Sequence, residues 1–460
     1  MRSRALRGTA ITLGGTAGQQ LLRLISNLIL TRLLFPEAFG LMALIQTFMV
    51  GLQMFSDIGL RPSIIQNKRG EEADFLNTAW TIQVIRGVVL WLAACALAWP
   101  LSIFYMEPQI LQLLPVVGLN ALLMGFATTK TSTANRNLQL GRLTVIGMIT
   151  QALGIVITIA CALVWPSVWA LVIGSLIGTL ATVIAGHWFM PGIANRFRWD
   201  RSAAYELIRF GRFIFVSTLA GFFVNQGDKI VLGKLVSFAD LGIYNIGFFM
   251  ASFPLMLGAA VAERVLFPLY RQVRPSESPE SRTKIRRARS LLTGSLIVLL
   301  GILAVISNLL IGLLYDPRYA AAGPILIVLV LMQLPVALTI GNSQLLLAEG
   351  NSRDFSKLVL LQAVLNFIYM LAGFWLFGIF GVLLVQGLIT LTIYPLQQYY
   401  LRRHHGTDLQ RDAQFALIGL AFAVLAIWWN WEVLSQFFIT SRAAAPFLTG
   451  SWHPATVFGG

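Results

Sequence analysis

Residues 29–45 read ILTRLLFPEAFGLMALI, and 202 positions later residues 231–247 read VLGKLVSFADLGIYNIG. Without a gap the shift pairs Leu30 with Leu232, Arg32 with Lys234, Leu33 with Leu235 and Gly40 with Gly242. Ile29/Val231, Leu34/Val236 and Leu41/Ile243 are conservative pairs. Each stretch is an apolar run, a short polar turn and a second apolar run, which is a helical hairpin. Such a hairpin met twice marks a chain built from an internal repeat. Both copies begin on a helix running in the same direction, so the repeat is parallel. Six helices followed by six more make two bundles with a central cavity.

The solvent for these helices is lipid. The chain has 460 residues, 57% hydrophobic and 12% charged, with a mean hydropathy of +0.75. A soluble domain is about 25% charged, so half the expected charge is missing and the apolar surface exceeds what one core hides. A span needs roughly 20 apolar residues. Candidates lie near 10–34, 38–60, 79–104, 111–129, 143–165, 167–190, 213–236, 241–266, 290–314, 322–347, 358–378 and 380–401, with a shorter thirteenth at 414–430. The fold expected is all-α and integral to the membrane, with 12 to 14 spans and 13 as the best count. The domain plan is a first lobe over 1–190, an amphipathic linker over 191–212, a second lobe over 213–401, and an extra helix and tail over 402–460. Val433 to Thr440 is too short to span, and the Gly/Pro/Ala-containing tail after it is expected to be poorly ordered. The basic N-terminus resembles a signal peptide, but its apolar run is long and holds Arg23, which reads as an uncleaved first helix.

Charge placement orients the helices. With the N-terminus in the cytoplasm, inner segments carry 27 of the 34 basic residues, among them Arg61, Arg69, Arg136, Arg264, Arg289 and Arg411. The net charge of +15 therefore reflects topology and contact with anionic lipid, and nucleic acid is excluded as the partner it would otherwise suggest. In the linker, Asp200 is placed to cap a short helix lying in the headgroup plane.

Ionisable groups at bilayer depth are costly and mark function. Arg23 lies near the middle of the first span, with Thr16, Gln19, Gln20, Ser26 and Asn27 around it at helical spacing, one polar face. The seventh span carries Asn225, Gln226, Asp228 and Lys229, and the 202-residue shift sets Arg23 against Asn225 and Asn27 against Lys229. Arg86 lies about two turns inside the third span. Arg23, Lys229, Arg86, Gln20, Asn27 and Asn225 are the candidate cavity residues. Cations outnumber acids there, which suits a phosphate-bearing anion, because guanidinium matches phosphate oxygens bidentately. Asp228, the one acid clearly within a span, is the candidate ion-coupling group. Isolated amides such as Gln151, Gln333 and Asn366 read as hydrogen bonds between helices.

Chemistry is not signalled. Gly227 to Lys234 imitates a phosphate loop, but five residues separate its glycines and Leu235 follows the lysine. Cys95 and Cys161 lie apart in apolar runs, with no metal-type spacing. His404 and His405 sit in an inner loop without partners and read as solvated, and His187 reads as isolated. No catalytic residue, metal or cofactor is expected.

Residues 55–80, FSDIGLRPSIIQNKRGEEADFLNTAW, resemble the loop between the second and third helices of the oligosaccharide flippase (Wzx-like polysaccharide transporter) family. Residues 225–270 resemble its seventh and eighth helices, with Asp228, Gly233, Gly242, Tyr244, Pro254 and Pro268 in familiar places. The resemblance extends over about 1–401 and implies the multidrug/oligosaccharidyl-lipid/polysaccharide exporter superfamily, alternating access, and a place in the bacterial cytoplasmic (inner) membrane. The implied substrate is a polyprenyl-pyrophosphate-linked oligosaccharide, with membrane lipids and a polysaccharide polymerase or export machinery as further partners. Many members have 12 or 14 spans, and this chain departs from them with one extra helix and a tail. Two alternatives stand beside it. A multidrug/cation antiporter is disfavoured by the scarcity of buried acids, and a membrane polysaccharide polymerase by the short outer loops.

Overall fold

The computed structural model describes residues 2–443 except 58, 138, 212–214, 274–277 and 350. The tail beyond 443 and part of the loop before the ninth span lie outside the described residues. Two compact units emerge, Met1–Phe222 and Phe223–Gly460. Unit 1 holds α1 (Arg2–Leu33), α2 (Pro36–Phe55), α3 (Leu60–Gln66), α4 (Ala73–Tyr105), α5 (Gln109–Gly125), α6 (Lys130–Arg136), α7 (Leu140–Val164), α8 (Val168–Phe189) and α9 (Arg201–Gly211). α10 (Phe215–Leu235) carries the boundary between the units. Unit 2 continues with α11 (Phe238–Val261), α12 (Phe267–Gln272), α13 (Pro279–Leu314), α14 (Ala322–Thr339), α15 (Asn342–Ala348), α16 (Ser352–Phe377), α17 (Ile379–Arg402), α18 (Leu409–Trp429) and α19 (Trp431–Ala443).

The repeat is visible in these boundaries. α1 ends at Leu33 and α10 at Leu235, while α2 starts at Pro36 and α11 at Phe238, both separated by the same 202 residues. Different chemistry starts the two second helices. Pro36 occupies the first turn of α2, where a missing N–H costs nothing. Ser237 caps α11 by accepting from the Asp240 N–H at 3.1 Å. Packing repeats as well: α4 lies on α5 as α13 lies on α14, α7 on α8 as α16 on α17, and α5 on α8 as α14 on α17. Small residues permit the closest of these approaches. A Cβ on Gly154 of α7 would stand 3.2 Å from Gly178 Cα of α8, and one on Gly381 of α17 would stand 2.0 Å from the Gly373 carbonyl oxygen of α16.

Ten described helices are long and apolar enough to cross a membrane, and α5 with α6, bent by 59° at their break, makes eleven. α1 and α10, with 32 and 21 residues, have the length but are not among them. They are also the first helices of the two repeats, and the polar groups around Arg23 and Asp228 are what set them apart. With those two, the described helices of spanning length number the expected thirteen. α19 has 13 residues, about 20 Å at 1.5 Å per residue, short of a bilayer core. It docks instead on the turn between α16 and α17, where Ser441 Oγ accepts from the Phe380 N–H at 2.8 Å and donates to the Phe377 carbonyl at 3.0 Å.

α9 is the short helix of the linker. Its apolar face, Ala203, Ala204 and Leu207, is buried against Leu60 and Ile64 of α3 and Phe75, Leu76 and Ala79 of α4. Burying Leu207 fully is worth about 2 kcal/mol. Asp200 does cap it, accepting from the Ser202 N–H at 3.0 Å. Arg69 then ties α9 down, reaching Asp200 at 2.9 Å, Glu206 at 3.3 Å and Glu72 at 2.8 Å. The hydrogen bonds that Arg69 donates to these carboxylates, Glu72 first, raise its pKa above its ordinary value, and Arg69 in turn holds the Asp200 carboxyl below the usual carboxylate range.

Candidate functional site

Unit 1 contains a cavity of about 440 Å³ where α2 ends, α3 begins and α5 breaks into α6, against residues 83–90 of α4. Its polar lining includes Gln53, Asp57, Arg61, Gln83, Arg86 and Thr131. An adjoining hollow of about 200 Å³ shares Arg61, Thr128, Thr131 and Ser132 with it. The combined volume falls within the range of small-ligand sites.

Each polar wall has a local cause. The α5–α6 break leaves helix-end carbonyls without helical partners. Gln83 serves three of them, donating its amide to Met124, Gly125 and Ala127 at 3.1, 3.0 and 2.8 Å. Asn195 accepts from the Thr128 hydroxyl at 2.9 Å and the Thr129 N–H at 3.0 Å, which fixes the start of α6. His187, expected to be isolated, lies 2.9 Å from the Phe126 carbonyl at the same break, and Lys130 donates to the His187 carbonyl at 2.8 Å.

Arg86 is the expected site residue that this cavity contains. It donates Nε to Ser56 Oγ at 2.9 Å and Nη2 to the Gln53 carbonyl at 2.7 Å. The side chain is thereby aimed at the end of α2, and it does not run along the helix toward the membrane surface. Arg61 is the cationic partner that sequence reasoning missed. It is exposed on α3, makes no hydrogen bond among the described residues, and lines both hollows. Asp57 supplies the carboxylate there, and its Oδ1 already accepts from the Gly59 N–H at 2.9 Å. Two guanidiniums against one carboxylate leave the cavity cationic.

Gln20, Arg23 and Asn27 lie elsewhere in unit 1. The expected single polar face of α1 is in fact two stripes. Gln151 donates to the Gln19 carbonyl at 2.9 Å and Ser26 is buried, so that stripe packs on α7. Gln20, Arg23 and Asn27 are turned about 90° from it, and Arg23 is exposed.

In unit 2, Asp228 of α10 accepts from the Tyr244 hydroxyl of α11 at 2.5 Å through Oδ2. Its Oδ1 is buried and has no hydrogen-bond partner among the described residues. Lys229 donates to Gln226 Oε1 at 3.1 Å and stands 5.0 Å over the Phe248 ring. Asn225 is exposed nearby on the same helix. Asn366 holds α16 to α10, donating to the Phe223 and Val224 carbonyls at 2.9 and 3.2 Å, which is the structural role expected of it. A second missed cation is Arg264. It sits in a π-helical turn, Ala262–Leu266, and its Nη1 is buried without a partner among the described residues. Such turns recur at functional sites.

Two expectations fail. His404 is not solvated: its ring lies 4.0 Å from Glu349 and 3.5 Å from the Asn351 amide, because the loop after α17 folds back on the start of α16. Arg289 and Arg411, counted among the inner basic residues whose charge was ascribed to topology and anionic lipid, are 3% and 2% exposed. Among the described residues no cluster of His, Cys, Asp and Glu could hold a metal ion.

Residues 29–324 match the family model described as polysaccharide biosynthesis protein. The chain is 26% identical over 259 residues to the succinoglycan biosynthesis transport protein ExoT of Rhizobium meliloti (strain 1021), covering 56% of this chain and 51% of that one. It is 22% identical over 387 residues to the lipopolysaccharide biosynthesis protein WzxC of Escherichia coli (strain K12), covering 81% and 76%. The match thus spans only about half the length of the first relative. Among solved structures, the inward closed conformation of the lipid II flippase MurJ superposes with a TM-score of 0.66 at 11% identity, over 91% of this chain and 98% of that one.

Proposed function

Because the chain belongs to the polysaccharide biosynthesis protein family, we propose that it is a flippase that carries a polyprenyl-pyrophosphate-linked oligosaccharide across the bacterial inner membrane by alternating access. It is a multi-pass membrane transporter of the multidrug/oligosaccharidyl-lipid/polysaccharide exporter fold, not a catalyst. The N-terminus lies in the cytoplasm, and the substrate enters there and leaves on the outer face.

The observation that carries this reading is the cavity in unit 1. Arg61 and Arg86 against Asp57 give it an excess positive charge, and it is lined at the end of α2 where the chain turns into α3. That end is cytoplasmic under the proposed orientation. Arg86 is held by Ser56 and the Gln53 carbonyl, so part of its guanidinium is fixed before any ligand arrives. Arg61 has no such tether and can close on a pyrophosphate that Arg86 positions. Within unit 1, Gln20, Arg23 and Asn27 on α1 are further substrate contacts of this proposal, and within unit 2 Asn225 and Lys229 on α10 are. A cationic drug would meet repulsion in the same cavity.

Asp228 is the coupling group of this proposal. A buried carboxylate oxygen without a donor is costly unless it binds a proton or a cation. Tyr244 keeps the other oxygen occupied, so one ion at Oδ1 completes the site and its release changes the charge on α10. A polysaccharide polymerase or export machinery is the expected recipient of the delivered substrate.

The test is made in right-side-out membrane vesicles from cells lacking the chain. Lipid-linked oligosaccharide should stay protected from an impermeant glycosidase until the chain is restored. Equal accessibility with and without the chain contradicts the proposal.

A further inference from the structure

Arg289 lies ten residues into α13, as Gln83 lies ten residues into α4. Gln83 is neutral and serves the α5–α6 break. Arg289 is charged, donating Nη1 to the Gly406 carbonyl at 2.8 Å and Nη2 to Asn342 Oδ1 at 2.5 Å, beside the break between α14 and α15. A second buried guanidinium, Arg411 of α18, donates Nε and Nη2 to Asp412 Oδ1 at 3.1 and 2.6 Å. The other Asp412 oxygen accepts from the Tyr394 hydroxyl at 2.8 Å and the Gln398 amide at 3.1 Å.

The charge does not balance. Asp412 answers one guanidinium, and at the rim Arg286 and Asp408, 2.8 Å apart, cancel each other. Glu349, in the loop after α15, faces His404 at 4.0 Å, and no carboxylate lies within 4.0 Å of Arg289 among the described residues, so the Arg289 charge is left over in a buried place. Donors are in excess too: Arg289 Nε, Arg411 Nη1 and the Tyr270 hydroxyl are buried without a partner among the described residues, and Gln398 Oε1 is the unmatched acceptor in this cluster. Asn342, held by Arg289, also donates to Gln397 Oε1 at 3.3 Å, next to the Gln398 that reaches Asp412, and a Cβ on Gly341 would stand 3.5 Å from the Tyr270 hydroxyl, so these donors share one neighbourhood. An uncompensated buried charge is strongly destabilising. Arginine does not escape it by losing a proton. Water would satisfy the donors and leave the charge. Tyr270, Arg289 and Arg411 are 1%, 3% and 2% exposed, so an ion held among them would be shut off from bulk water.

We propose that Arg289, Arg411 and Tyr270 bind a halide ion, chloride in the cell, which locks α18 onto α13 and the α14–α15 break. The site is separate from the cavity of unit 1, and its test requires no transport. Purified full-length chain in detergent is melted at constant ionic strength while sodium gluconate is replaced by sodium chloride or bromide. The melting temperature is expected to rise with halide and to level off, as mass action on one site requires. Tyr270→Phe removes one donor and keeps both charges, so it should shift the halide titration to about tenfold higher concentration, the loss of one hydrogen bond. Arg411→Gln leaves Arg289 balanced by Asp412 and should abolish the halide dependence. Equal melting in chloride and gluconate overturns the proposal. So does a halide effect that Tyr270→Phe leaves unchanged, a reading available even if Arg411→Gln does not fold.

Discussion

Replacing Arg61 by Gln is expected to weaken binding of a pyrophosphate lipid without disturbing the fold. Arg61 is exposed and makes no hydrogen bond among the described residues, so its loss leaves no buried partner behind. Surface changes of that kind stay within about 0.5 kcal/mol in stability. A hydrogen bond to a charged group is worth about 1.5–3 kcal/mol. At about 1.4 kcal/mol per tenfold, affinity should fall roughly 10- to 150-fold. Arg86→Gln would also lower affinity, but it removes the bonds to Ser56 and the Gln53 carbonyl and confounds binding with folding. Calorimetric titration of the purified protein in detergent with a short-chain polyprenyl pyrophosphate measures the effect. The same titration with added salt should weaken wild type more than Arg61→Gln. Unchanged affinity in Arg61→Gln, with normal melting, would refute the assignment of this cavity to the phosphate.

Asp228→Asn should leave the Tyr244 contact possible but remove the charge, so transport in proteoliposomes should lose its response to an imposed ion gradient; a retained response contradicts the coupling role. Gly381→Ala places a methyl group 2.0 Å from the Gly373 carbonyl oxygen and must push α16 from α17. Overpacking of this kind costs about 1–3 kcal/mol, read as a lower melting temperature. The Arg69 latch predicts an acid-sensitive α9. Asp200 has a folded pKa below its unfolded value, so its stabilisation is complete above about pH 4 and fades as pH falls through the lower folded pKa. Limited proteolysis at Arg201 should therefore increase below that pH, and Arg69→Ala should show the same cleavage at neutral pH. Equal protection across the range would discount the latch.

Helix number and repeat were legible in the sequence because lipid imposes one strong rule, a long apolar run for each span. The 202-residue shift anticipated both the ends of α1 and α10 and the starts of α2 and α11. Arg86 was legible for the same reason, as a cation inside an apolar run. Arg61, Arg264, Arg289 and Arg411 were not. Each lies within a few turns of an inner loop, where counting charge for topology absorbs it and hides what it touches. Burial of Arg289 depends on α15 and the loop before α18 folding over it, contacts more than 50 residues apart that periodicity does not encode. The same holds for α9. Its basic and aromatic pattern fits a membrane surface, and its packing on α3 and α4, with Arg69, 131 residues before Asp200, turns it onto the protein.

Translocation of a short polyprenyl-pyrophosphate oligosaccharide in proteoliposomes, wild type beside Arg23→Ala at matched abundance, tests the central claim most directly. Intact lipid-linked sugar appearing on the far side with wild type, and abolished in Arg23→Ala, is the predicted result. No movement by wild type under a proton or a sodium gradient would contradict a flippase, and normal movement by Arg23→Ala would contradict a cationic path through α1.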